Sequence, residues 1–585
     1  RIALSKPPFI PIHTEMGAMW EKWGGRMAAL GAVLLLLFAV ALPSVWRRHQ
    51  GGDDSRSPAG GAGTTSTAPR RGDSPNTFRF YQEFPHTLDP ARAADAYSSE
   101  VVAQIYSPLV GLTSDLEPTP QLAESWTISK DGLRYVFRLR PGVHFHNGRE
   151  VTAQDFAYSL TRVFQEPFLS EGLAANYLDA IDGVREFTAR KAKTIRGIRV
   201  IDRYQLEITL SRPYPSLLSA LALDQTSAVP REVLEEGGPH ALESNPVGTG
   251  PFRFVRLHPD QAVTLAANDD YFMGRPKLDS LLFIAPPGDV VTAGANALLD
   301  GRATLSLLPS NRIEEFRARP GLAVLRWQDL SLSFIGMNAS IAPLNDVRVR
   351  RAVALAIDRQ AMLNALPEGK TLAQGILPPG IPGYSPASKV PHRDLAAAKS
   401  LLAQAGYGPN HPLPAISLWK SIGGNDLRQV DSVMVHSLSE AGITVRIRYE
   451  SWAVLDKAIT NRQVPMFGLA WIADIPDPET FLRSLAYSTS ASNYFRYDGG
   501  RVDSLLDAAR ATLDADARAE LYRRAEEAII LDAPFVPLYY TVSFIGMKDN
   551  VAGLEMNPLG ISTLAMEKLH LTEPRDGRDR RDASR

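Results

Sequence analysis

The sequence predicts an α/β protein in which a small β-rich module precedes a larger α/β unit. Three observations predict it. From about Leu332 to Pro537 strand-like and helix-like segments alternate in a β-α-β-α-β rhythm, the pattern of a sheet covered by helices. Before that, short strands come in pairs around turn signals such as Asp131-Gly132. The chain has 585 residues, 44% of them hydrophobic. That is material for several cores, because a single core stops growing at roughly 250–300 residues.

The bulk composition excludes several function classes. Lys and Arg total 63 against 64 Asp and Glu, a formal net charge of -1. Such a balance gives no electrostatic reason to bind nucleic acid. Cysteine is absent, so disulfides, thiolate metal sites and Cys nucleophiles are excluded. So is lipidation at a cysteine after a signal segment.

In chain order, residues 1–26 read as a leader, of which Arg1–Glu15, ahead of Met16, need not be translated. Residues 27–46, MAALGAVLLLLFAVALPSVW, are almost unbroken apolar sequence. As a helix they would reach roughly the ~30 Å of a bilayer core. Two readings stay open: a signal peptide cut after Ala39-Val40-Ala41, or a retained membrane anchor ended by Arg47-Arg48. Either way the body is expected outside the cytoplasm. Residues 47–76, rich in Gly, Ser, Thr and Pro, predict a flexible linker, and the charged residues 573–585 a disordered tail.

The body opens with extended Phe78-Arg79-Phe80 and a helix over Ser98–Tyr106. Trp126–Ile128 and Tyr135–Leu139 flank Asp131-Gly132 as a hairpin, with Tyr135, Phe137 and Leu139 on one face. Thr152 and Asp155 form a capping box for a helix that turns Phe156, Leu160 and Val163 to one side. Strands Ile198–Ile201 and Gln205–Leu210 follow. In the α/β region Asp346 and Asp394 cap helices, and Gly406 stops the second. Strand Ile416–Trp419, helix Asp426–Ala441, strand Thr444–Tyr449, a helix capped by Ser451 and strand Met466–Trp471 complete the series. Ligands of such units bind beyond the carboxyl ends of the strands, where Trp471–Asp474 lie.

These residues carry a resemblance. Pro108-Leu109-Val110-Gly111-Leu112, Leu122-Ala123-Glu124-Ser125-Trp126, Val151–Phe156, Asn245–Phe252, Asp346–Ala352 with Ile357-Asp358-Arg359, and Val536-Pro537-Leu538-Tyr539-Tyr540 stand in order. The chain resembles the bacterial extracellular solute-binding proteins, family 5, and within it the oligopeptide-binding proteins, over about Phe78–Leu571. The resemblance implies a two-lobed periplasmic-binding-protein fold, class II and of the three-domain peptide-binding type, with a hinge and an interlobe cleft. It implies a discontinuous lobe I domain (77–113, 265–331 and 538–572), a small β-rich domain of lobe I (114–264) and an α/β lobe II (332–537). It further implies a monomer that binds a peptide and serves the permease subunits of an ATP-driven importer in the inner membrane, without a cofactor.

The resemblance also implies a site. In peptide-binding members an acidic residue at the place of Asp474 pairs with the peptide's α-ammonium, and Trp471 contacts the ligand or walls a side-chain pocket. Tyr177 and Tyr540 fall in segments that line the cleft; Asn493 and Tyr494 are further candidates. From the residues alone, Asp477 before Pro478 reads as a helix cap, whereas Asp474 has no such local task. Some relatives carry an Arg three residues before the Trp that helps hold a ligand carboxylate; here that position is Gly468. A nickel complex, a sugar or an opine therefore stays open as ligand, as does a ligand-sensing role.

The rival class is an enzyme. The sequence has no GxSxG elbow, HExxH helix, Walker loop or dinucleotide fingerprint. His144 and His146 are expected two apart on one face of a strand, but no third ligand completes a zinc set. Neither a catalytic residue nor a metal site is assigned.

Overall fold

The structure is a computed structural model and describes residues 76–258, 262–422 and 425–573. The leader, the apolar 27–46 segment, nearly all of the linker and the tail beyond 573 lie outside the described residues.

The β-rich module is a four-stranded antiparallel sheet of Ala123–Ile128, Arg134–Leu139, Gln205–Thr209 and Ile198–Asp202, in that spatial order. The hairpin turn forms where Asp131-Gly132 predicts it, with Gly132 at φ 68°, a conformation that favours glycine. Strand alternation sends Tyr135, Phe137 and Leu139 into the core while Arg134 and Arg138 stay outside. The Thr152/Asp155 capping box is present, and its helix, Ala153–Arg162, buries Phe156 and Leu160 against the sheet.

A second, twelve-stranded sheet runs through the rest of the body. One half centres on Thr77–Tyr81, which lies parallel to Ser280–Ile284. That half is extended by the antiparallel strands Ala262–Ala267 and Phe252–His258. The other half holds Val445–Glu450, Ile416–Ser421 and Met466–Ile472, mutually parallel, followed by antiparallel Ser331–Met337. This is the predicted α/β rhythm. Its helices start at Asp346 and Asp394, whose carboxylates accept from the backbone N–H of Arg348 and Ala397. Ser451 holds the cap position of helix Trp452–Thr460 without a side-chain bond.

One strand joins the halves. Phe535–Lys548 pairs with Ser331–Met337 through its first residues and with Leu322–Gln328 and Leu305–Leu307 through its last. It feeds Val536 and Leu538 to one core, Phe535 and Tyr540 to another, Val542 and Phe544 to a third and Ile545 to a fourth. Beside it Asp329–Leu330 makes a second crossing. Asp329 N donates to Thr541 O at 3.0 Å, and Ser543 Oγ donates to Asp329 Oδ2 at 2.5 Å. The molecule is thus two lobes joined by adjacent backbone crossings, the arrangement of a hinge.

The glycines of Asn245–Phe252 serve close approach. A Cβ on Gly248 would stand 2.0 Å from Ile105 O, and Gly250 N donates to that same oxygen at 2.8 Å.

Candidate functional site

Strand Met466–Ile472 delivers the candidate loop. Its ladder runs one residue further, Ala473 N donating to Leu330 O at 2.8 Å, and ends before Pro476 and Pro478, which have no N–H. Helix Glu479–Ala486 begins directly after, with Asp477 Oδ1 accepting from Glu479 N at 3.0 Å. The N-cap position falls on Pro478, one residue later than expected, and Asp477 serves the first turn from just ahead of it.

Asp474 sits at the tip of this loop, against the β-rich module. Tyr177, at the end of a short helix there, donates its hydroxyl to Asp474 Oδ2 at 2.5 Å. The same hydroxyl lies 3.1 Å from Thr480 Oγ1. Thr480 gathers the group: its Oγ1 accepts from Asp474 N at 3.3 Å and its carbonyl from the Trp471 indole at 2.7 Å. The structure thus brings Tyr177, Trp471 and Asp474 together. The residue that gathers them, Thr480, is fully buried; the sequence signal for it is its place in the first turn of the helix six residues after Asp474.

Within this group the electrostatics set Asp474 apart from the acids around it. Among the described residues it has no ion-pair partner, and its Oδ1 accepts no hydrogen bond. Burial pushes its carboxyl up to about 6, with the Tyr177 hydrogen bond pulling the other way. The neighbouring acids all face arginines: Asp179 with Arg212 and Arg510, Asp477 with Arg518, Glu479 with Arg510. Asp474 is an acid that lacks its cation. The Tyr177 hydroxyl is raised well above its ordinary value, by burial and then by the adjacent carboxylate.

Two further candidates give their polar atoms to other partners. The Tyr540 ring is 1% exposed, and its hydroxyl accepts from Gly375 N at 3.1 Å and donates to Leu377 O at 2.8 Å. The loop it ties down is also held by Glu526. Asn493 spends its amide on its own turn, donating to Tyr497 O at 2.7 Å and Tyr487 O at 3.2 Å and accepting from Tyr497 N at 3.1 Å. Tyr540 is buried in the apolar cluster against which Trp471 packs, and neither side chain hydrogen-bonds to Tyr177, Asp474 or Thr480. Tyr494 packs edge-on against Phe467.

The histidine expectation needs correction. His144 and His146 are not in a regular strand; His144 forms an isolated bridge with Glu150. His146 turns inward, with Nε2 3.0 Å from Gly250 O, and burial lowers its pKa to about 4. Among the described residues no group of three or more His, Asp or Glu could hold a metal ion.

Gly468 has a physical account. A Cβ there would meet Lys420 Cε at 3.1 Å, so the stem of Lys420, from the neighbouring parallel strand, fills the side-chain space. The Lys420 ammonium pairs with Asp431, whose Oδ2 also accepts from the Tyr449 hydroxyl at 2.9 Å. An open groove of about 700 Å³ lies alongside, lined by Arg428, Asp431, His436 and Tyr449 among others.

Residues 117–493 match the family described as bacterial extracellular solute-binding proteins, family 5. The chain belongs to that family. Its members are solute-binding proteins rather than enzymes, and they work outside the cytoplasm. Heme-binding protein A of Haemophilus influenzae is 30% identical over 85% of this chain and 93% of its own length. Di/tripeptide-binding protein 2 of Pseudomonas aeruginosa is 30% identical over 83% and 93%. Among solved structures, the ABC transporter-associated periplasmic binding protein DppA of Helicobacter pylori, in complex with the peptide STSA, superposes with a TM-score of 0.72. It is 28% identical and covers 85% of this chain and 97% of its own. The two-lobed periplasmic-binding-protein fold expected from the sequence is the fold observed. No helix among the described residues is long and apolar enough to cross a membrane.

Proposed function

We propose that this family member captures peptides between its lobes outside the cytoplasmic membrane, as a monomer, and delivers them to the permease of an ATP-driven importer. One observation carries the reading. Asp474 is a desolvated carboxylate at the junction of the lobes with one oxygen open and no cation of its own. A peptide α-ammonium supplies that cation and gains a charge-assisted hydrogen bond. Trp471 and Tyr177 flank the position. The names of the relatives, several of them di/tripeptide-binding or dipeptide-binding proteins, support the same reading. Residues 27–46 hold the body to the membrane or are removed on export.

The basic group at the register of Gly468 is Lys420, from the adjacent strand. Its ammonium already pairs with Asp431, so carboxylate recognition through this position is weaker than recognition of the amine end.

The similarity to heme-binding protein A favours heme as a second reading. Heme carries no ammonium to match Asp474, which places peptide first. Calorimetry with one peptide in its free-amine and N-acetylated forms tests this: the free amine should bind at least tenfold more tightly. Equal affinities, or heme found by mass spectrometry in the natively purified protein, would overturn it.

A further inference from the structure

A second set of polar groups, separate from Asp474 and Tyr177, joins the α/β lobe to the β-rich module, which the buried Arg162–Asp89 pair ties to the segment following strand Thr77–Tyr81 of the other lobe. Arg510, on helix Gly500–Ala511 of the α/β lobe, donates from Nη2 to Asp179 Oδ1 of the β-rich module at 2.7 Å. Its guanidinium also sits 4.7 Å from the ring centre of Tyr214, again in the module. Nearby, the module's Ser216 donates to Asp477 Oδ2 of the α/β lobe at 2.5 Å, and Arg518 donates to Ser216 Oγ at 2.9 Å. Ile475, from the same loop of the α/β lobe, is 1% exposed within the module's own apolar cluster.

The pairing within each lobe decides what these bonds can do. Asp179 has a second arginine in its own module, Arg212 at 2.9 Å. Arg510 has Glu479 in its own lobe at 2.9 Å, and Asp477 has Arg518 at 2.6 Å. When the lobes part, every charged group keeps a counter-ion. The large cost of breaking a buried ion pair comes from the charge left without a partner, and here none is left. When the lobes meet, the charge-assisted bonds return, and no ligand atom takes part in them.

We propose that Arg510–Asp179 and Ser216–Asp477 form a detachable latch that populates the closed form before any ligand arrives. Ligand then shifts an equilibrium already partly on the closed side. The proposal does not depend on what Asp474 binds.

The chain contains no cysteine, so Lys193→Cys in the module and Lys399→Cys in the α/β lobe label with a fluorophore pair without competition. Single-molecule energy transfer on the ligand-free protein should show a closed share of a tenth or more. Asp179→Asn with Ser216→Ala should reduce that share at least tenfold. Arg212→Gln, which removes the competitor for Asp179 and leaves Arg510 in place, should raise it. A ligand-free protein found only open, or a closed share unmoved by either variant, overturns the latch. If the double variant melts before it can be measured, Ser216→Ala alone and Arg212→Gln decide by the same directions. Because no ligand enters the readout, this result stands apart from the peptide experiment.

Discussion

The hydroxyl of Tyr177, in the β-rich module, and the carboxylate of Asp474, at the end of strand Met466–Ile472, meet at 2.5 Å although 297 residues separate them. Tyr177 takes one carboxylate oxygen, and among the described residues no donor takes the other.

Replacing Asp474 by Asn keeps the shape and removes the charge. Affinity for a free-amine peptide should fall at least tenfold by calorimetry, since a charge-assisted hydrogen bond is worth roughly 1.5–3 kcal/mol. Affinity for the N-acetylated peptide should barely change.

The same carboxylate should make binding pH-dependent. In the ligand-free protein its pKa is raised from 3.8 to about 6 by burial. A raised acid favours the folded, closed form when protonated, so the penalty of its charge is present above that value and is relieved as pH falls towards 3.8. Binding an ammonium needs the charged form. Peptide affinity should therefore drop by about tenfold between pH 7 and pH 5, while this group's contribution to ligand-free stability moves the opposite way. Calorimetry and thermal melts across that window read both, and Asp474→Asn should remove both.

Tyr177→Phe deletes the hydroxyl and keeps the ring. The hydrogen bond it removes holds the Asp474 carboxyl down. The midpoint of the pH dependence should therefore move upward, to above its value of about 6 in the unaltered protein, as read by carboxyl carbon NMR or by affinity against pH.

Glu526 offers a stability test in the α/β lobe. It is 1% exposed, accepts from Ile376 N at 2.6 Å and Leu377 N at 2.9 Å, and pairs with Lys389 at 2.5 Å. Glu526→Ala strands two backbone donors and a half-buried ammonium, and should cost about 3–5 kcal/mol in denaturant unfolding.

Much of the fold was legible because its signals are local. Asp131-Gly132 sets its own turn, Thr152 and Asp155 cap their own helix, and the apolar alternation of Tyr135, Phe137 and Leu139 fixes which face is buried. Asp474 was legible as an acid at a strand end without a local task. Tyr177 was anticipated through resemblance, but its bond to Asp474 was not, because nothing within either segment encodes the other. Tyr540, Asn493 and His146 illustrate the opposite limit: each carries a polar atom suited to a site, and each gives it to a backbone group packed against it. The arginines facing Asp179, Asp477 and Glu479 were invisible for the same reason as the Tyr177 pairing: only tertiary structure assembles them.

Strand Phe535–Lys548 contributes side chains to four cores from one uninterrupted segment. An insertion or deletion of one residue near Thr541 would swap inward and outward positions along everything on one side of the change. Half the molecule would lose its anchor while the other half kept its own. Along this stretch the number of residues constrains the fold as tightly as their type.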